Sequence, residues 1–205
     1  MSPSPFRRLV LSRTSVRHYE ERAIPDADIL AMVEAARQAP SAENAQPWRF
    51  VTVKSPAARE ALSRACFSGI FSPTRFAARA PLIVALCAER TGFVETGKSI
   101  KDRAMYQLDC GIAGEHLVLQ AAERGLGTCW IGWFNRRAAR KALGAPWHVQ
   151  VVALISVGYP RAAGAQDPSG QASSRRRPRK ALSSMLWLDS WGKSFPGADA
   201  YGEEK

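Results

Sequence analysis

Histidine is scarce: His18, His116 and His148 are the only three in 205 residues, and none has a serine, cysteine or acidic partner at a recognisable spacing. A hydrolytic triad therefore lacks its base. The four cysteines, Cys66, Cys87, Cys110 and Cys129, form neither a CxxC pair nor a Cys/His cluster. That argues against a zinc site and fits buried thiols in a reducing compartment, so no metal is expected. No apolar run approaches the roughly 18 residues of a membrane span, and no charged-then-apolar leader is present. The expected location is the cytoplasm, away from the membrane. Neither GxGxxG nor GxxxxGK occurs, which removes the usual dinucleotide and P-loop signatures. A chain so poor in reactive side chains is expected, if it is an enzyme, to leave the difficult chemistry to a cofactor.

Acidic residues are also few, 18 against 29 Lys and Arg, for a formal net charge of +11. Such a field attracts polyanions. The cations are scattered through every predicted element, however, with no basic stripe interleaved with aromatics, so no nucleic-acid partner is expected. Two segments do concentrate charge: Arg13-Thr14-Ser15-Val16-Arg17, and Arg175-Arg176-Arg177-Pro178-Arg179-Lys180. Together they suggest a clamp for an anion, although a solvated tail equally explains the second.

At 46% hydrophobic composition the chain can bury one substantial core, and a single domain over 1–205 is expected. Ser4-Pro5 reads as a cap and first turn of a short helix. Asp26 reads as the cap of a helix over 27–38, stopped by Pro40. The pattern from Pro47 to Lys54 predicts a strand, and Ser55-Pro56 opens a helix toward Cys66. Residues 67–80 look irregular. The run from Pro81 to Cys87 predicts a central strand buried on both faces.

The longest helical pattern spans 100–124, with Met105, Leu108, Ile112, Leu119 and Ala122 on or near one face and Gly125 as the stop. Its small residues, including Ala113, Gly114 and Ala121, would admit a second helix at close range. Two further strands are expected over 128–134 and 149–157, separated by a helix that Asn135 caps and Gly144 ends. Residues 161–180 read as a flexible basic linker. Beyond it, 181–205 form an apolar tail with Leu182, Met185, Leu186, Trp187, Leu188 and Trp191, expected to dock on this subunit or a partner.

Alternate residues of an extended segment face the same way, so Arg13, Ser15 and Arg17 make a compact phosphate site, or an ordinary polar turn. Asn44 and Gln46 could hydrogen-bond a polar heterocycle or satisfy their own loop. Trp130-Ile131-Gly132-Trp133 could bring backbone amides near a planar ring, or simply pack a strand end.

In order, Arg13-x-Ser15-x-Arg17-x-Tyr19, Ala39-Pro40-Ser41-x-x-Asn44-x-Gln46-Pro47-Trp48, Gly125-Leu126-Gly127-Thr128, Trp130-Ile131-Gly132 and Val157-Gly158-Tyr159-Pro160 resemble the FMN-dependent nitroreductase family. The resemblance covers about residues 9 to 190. It implies an α+β fold with a mixed, mostly antiparallel sheet flanked by helices, in an intertwined homodimer with FMN at the subunit interface. It further implies that Arg13, Thr14, Ser15 and Arg17 contact the FMN phosphate and ribityl chain, with Arg177 and Arg179 completing the phosphate site. Pro40, Ser41, Ala42 and Asn44 would come from the other subunit, and Trp130, Ile131 and Gly132 would lie against the flavin ring. Gly132 stands where larger members often carry an acidic residue, so a hydrogen bond there would come from the backbone. The implied activity is ping-pong transfer from NAD(P)H through FMN to a small acceptor such as a nitroaromatic or quinone. Alternatives are a flavin-binding sensor or carrier without turnover, and a specialised reaction such as reductive dehalogenation.

Overall fold

The computed structural model describes residues 3–89, 105–161 and 178–198. The chain divides into two compact units, Met1–Ser174 and Arg175–Lys205. In the first, helix α1 (Pro5–Ser12) starts as expected, the Ser4 hydroxyl accepting the Arg7 amide. Helix α2 covers Asp26–Arg37, but Pro25 takes the cap position and no side chain caps it. Asp26 is not the cap: it lies in the first turn and reaches out to Lys54, Nζ to Oδ1 2.5 Å. There its charge still complements the helix N-terminus.

Strand β1 (Trp48–Val53) leads into α3 (Pro56–Cys66), where the Ser55 hydroxyl caps the Ala58 amide. Gly69–Arg79, expected to be irregular, coils as a 3-10 run. Strand β2 (Leu82–Glu89), helix α4 (Met105–Glu123), strand β3 (Gly127–Ile131), helix α5 (Arg136–Ala142) and strand β4 (Val149–Gly158) complete the unit. Gly125, at φ +73°, ends α4, and the Asn135 side chain caps α5.

The sheet order is β1-β2-β4-β3, antiparallel at every pairing. The parallel contribution among the described residues is a single bridge, Ser15 to Thr128. The fold is therefore α+β, as expected. Strand β2 is central, and its side chains divide by the two-residue period of a strand. Leu82, Val84, Leu86 and Ala88 enter the core under α2 and α4, while Ile83, Ala85 and Cys87 enter the core under α3 and α5. Helices thus cover both faces.

On α4 the buried stripe is Tyr106, Asp109, Cys110, Ala113, Gly114, Leu117, Val118 and Ala121. It includes the small residues expected to admit a second helix, and the face of larger side chains is a different one. Met105 and Leu108 are 37% and 57% exposed, and Ile112, Leu119 and Ala122 are half-buried. The helix carries apolar side chains on two stripes, and the smaller residues go inward because the sheet and α2 lie close. A Cβ on Gly114 would sit 2.2 Å from Trp130 Cη2, so this glycine lets β3 approach α4.

The expected linker lies outside the described residues except for Arg161 and Pro178–Lys180. In the second unit Leu182–Ser184 form one 3-10 turn. Trp187 bridges Ser194, and its ring lies 3.9 Å from that of Trp191, which is 86% exposed.

Candidate functional site

Residues 13–17 leave α1 as an extended strap beside β3. The Val16 amide donates to Thr128 O at 2.8 Å, next to the Ser15 bridge. Val16 turns inward, buried with Tyr19 and Ala80. Gly127 makes this possible, since a Cβ there would meet Val16 Cγ2 at 2.5 Å. By alternation Arg13, Ser15 and Arg17 share the opposite, half-buried side. Arg17 lies 5.5 Å from the centre of the Phe76 ring. Among the described residues neither Arg13 nor Arg17 has a carboxylate partner. Two guanidinium groups held on one side without an acid to neutralise them suit an oxyanion.

Tyr19 anchors the strap. Its buried hydroxyl donates to Val16 O at 2.5 Å and shares a 2.8 Å hydrogen bond with Ser156 Oγ on β4. Burial is the main reason its pKa rises above the ordinary tyrosine value. Replacing Tyr19 with phenylalanine leaves two buried groups short of a partner and is expected to cost about 1–3 kcal/mol, measured by urea unfolding. A loss under about 0.5 kcal/mol would remove Tyr19 as the anchor.

The second predicted segment is a turn between α2 and β1, with a 3-10 helix over Ala42–Asn44. Glu43, Asn44 and Gln46 have φ of 52°, 56° and 45°, left-handed values that asparagine tolerates and the longer side chains seldom take. The turn is tied internally. Ser41 Oγ accepts the Gln46 amide at 3.0 Å, and Asn44 Oδ1 accepts from Gln46 Nε2 at 3.0 Å. Asn44 and Gln46 thus satisfy their own loop in this chain, while Pro40, Asn44 and Gln46 remain exposed. Sequence reasoning missed a residue here: Asp109 of α4 accepts the Ala42 amide at 3.2 Å. Its position three residues after Tyr106 and four before Ala113 marks it as an acid on an inward stripe, which was the available signal.

The third segment closes β3. Trp130 packs on α4, Ile131 is buried in the core beneath α3 and α5, and Gly132 is exposed. A Cβ on Gly132 would meet nothing within 4 Å. Open space at this glycine, beside the ends of β3 and α5, leaves the backbone accessible to a flat ligand. Arg136 donates to Gly132 O at 3.3 Å and holds the strand end in place. Arg179 is exposed in the second unit, and Arg177 lies outside the described residues.

Cys66, Cys87 and Cys110 offer no ready nucleophile. Burial pushes the Cys66 and Cys110 thiols up to about 12 and Cys87 to about 11, and all four cysteines are buried and none is in a disulfide.

The nitroreductase family model matches residues 10–159, which span the strap, the turn and all four strands. The chain belongs to the nitroreductase family. A protein of Archaeoglobus fulgidus named as an NADH dehydrogenase/NAD(P)H nitroreductase is 34% identical over 158 residues, covering 75% of this chain and 84% of the relative. The crystal structure of a nitroreductase family protein from Clostridium novyi NT superposes with a TM-score of 0.68 at 28% identity, covering 94% of this chain and 97% of that one. An FMN-dependent nitroreductase from Clostridium difficile R20291 shares the fold, with a TM-score of 0.63 at 24% identity, covering 84% and 98% of the two chains. As a nitroreductase-family chain, this protein is an oxidoreductase, the class that the resemblance implies. Among the described residues no helix is long and apolar enough to cross a membrane.

Proposed function

We propose that the chain is an FMN-dependent, NAD(P)H-consuming oxidoreductase that reduces a small acceptor such as a nitroaromatic or quinone. The observation that carries this reading is the strap beside β3, which presents Arg13, Ser15 and Arg17 on one side, with no carboxylate among the described residues paired to the two arginines. Family membership and the names of the relatives support it. FMN, when bound, supplies the two-electron chemistry that the protein's own side chains lack.

The strap holds the phosphate and ribityl chain through Arg13, Thr14, Ser15 and Arg17, with Arg177 and Arg179 as further cations. Trp130, Ile131 and the open backbone at Gly132 support the ring. Pro40, Ser41, Ala42 and Asn44 serve the site of the partner subunit in a homodimer. The outward stripe of α4, with Met105, Leu108 and Ile112, and the apolar tail would be covered by that partner. NAD(P)H and the acceptor use the same pocket in turn, which gives ping-pong kinetics. The protein forms a single domain in this reading and works in the cytoplasm, where buried thiols persist outside disulfides.

Purified protein loaded with FMN is expected to be yellow and to bleach near 450 nm when NADH or NADPH is added without oxygen, then recover its colour with a quinone. Protein that takes up no FMN would overturn the reading. Bound FMN that neither nicotinamide reduces would favour a carrier or sensor, and a panel including halogenated aromatics separates nitroreduction from dehalogenation.

A further inference from the structure

Asp109 is 2% exposed in the inward stripe of α4. Its Oδ1 accepts the Ala42 amide, and its buried Oδ2 has no hydrogen-bond partner among the described residues. A half-paired buried carboxylate is costly, and an apolar residue would suit the stripe better if packing were its only task. The amide it holds opens the turn in which Glu43, Asn44 and Gln46 all adopt left-handed backbone. Such conformations persist only where surrounding contacts over-determine them. The bonds from Ser41 and Asn44 to Gln46 close the turn on itself, whereas the Asp109 bond fastens it to a rigid 19-residue helix.

We infer that Asp109 is a positioning residue for the flavin-contacting turn. Its carboxylate pins Ala42 so that Ser41 and Asn44 are presented in one conformation. The inference rests on the FMN reading above, because the turn's task is defined by it. Pinning the turn before the ligand arrives spares the cost of ordering it on binding, so the effect falls on FMN affinity.

Asp109→Ala removes the acceptor and is expected to weaken FMN binding by about tenfold, whereas Asp109→Asn retains a carbonyl oxygen for Ala42 and stays within about threefold of wild type. A second route removes the donor. Ser41 is extended, at φ −143° and ψ 156°, as a residue before proline must be, and Ala42 opens its short helix, where proline is tolerated. Ala42→Pro is therefore expected to match Asp109→Ala, with the double variant no weaker than either single one.

The test measures FMN dissociation constants by flavin fluorescence and amide exchange over residues 41–46 in FMN-free protein. Faster exchange in Asp109→Ala and Ala42→Pro but not in Asp109→Asn supports the pin. Wild-type exchange and affinity in Asp109→Ala would overturn it, as would Asp109→Asn failing equally or the two single effects multiplying in the double variant. If Asp109→Ala does not fold, Ala42→Pro against wild type decides. Wild-type protein that binds no FMN overturns the flavin reading instead, and the exchange measurement then decides whether the pin exists.

Discussion

Replacing Arg13 and Arg17 together is expected to raise the FMN dissociation constant by at least about a hundredfold. Each guanidinium would make charge-assisted hydrogen bonds to a phosphate, worth roughly 1.5–3 kcal/mol apiece, and about 1.4 kcal/mol is a factor of ten. Neither arginine spends its charge on a carboxylate of the described residues, so the loss falls on the ligand rather than on internal ion pairs. Arg17 also rests against Phe76, and arginine stems contribute packing of their own. The glutamine double variant keeps most of that stem and separates charge from packing. Titration at two ionic strengths supplies a further check, because the wild-type affinity should fall with salt more steeply than that of the variant. Affinity within about threefold of wild type, in protein with an unchanged melting curve, would remove the strap as the phosphate site.

Gly114→Ala is the substitution expected to damage the fold most for its size. The added methyl would stand 2.2 and 2.8 Å from two atoms of the Trp130 ring and 3.0 Å from Leu86, in a core with little room to give. Overpacking of this kind costs about 1–3 kcal/mol, and here it more than offsets the roughly 1 kcal/mol that alanine gains over glycine in a helix. Moving Trp130 also disturbs the strand that ends at Ile131, next to Gly132, so a shift in tryptophan emission and weaker FMN retention should accompany the lower melting temperature. Gly132→Ala is the matched control: its methyl meets nothing within 4 Å, and folding stability should hold. Wild-type stability in Gly114→Ala would mean that β3 does not lie against α4 as described.

The strands and most caps were legible in the sequence because each is written locally. Strand β2 is a compact apolar run, and Ser4, Ser55 and Asn135 sit where a helix must begin. Asp26 misled because an aspartate at a helix start is attractive both as a cap and as a first-turn charge, and the ion pair with Lys54 lies 28 residues away. On α4 the small residues were legible as a close-packing surface, but not that they form the inward stripe. Larger side chains such as Met105 and Leu108 dominate a periodicity count, yet close packing against the sheet selects Ala113, Gly114 and Ala121.

Within the candidate site, the alternation of Arg13, Ser15 and Arg17 was readable, since it needs only an extended backbone. The left-handed run through Glu43 and Gln46 was not, because those residue types give no hint of positive φ. The Asp109 bond spans 67 positions, and its meaning depends on which face of α4 turns inward.

Strand β3 is an outer strand of the sheet, and the strap carrying Arg13 to Arg17 supplies the amide of Val16 to Thr128. A bare outer strand is a template for pairing with another molecule. The segment that would grip the ligand's phosphate therefore also shields the sheet from self-association. Ligand binding that steadies the strap should guard against precipitation, and cofactor-stripped protein should aggregate through this edge before its helices melt.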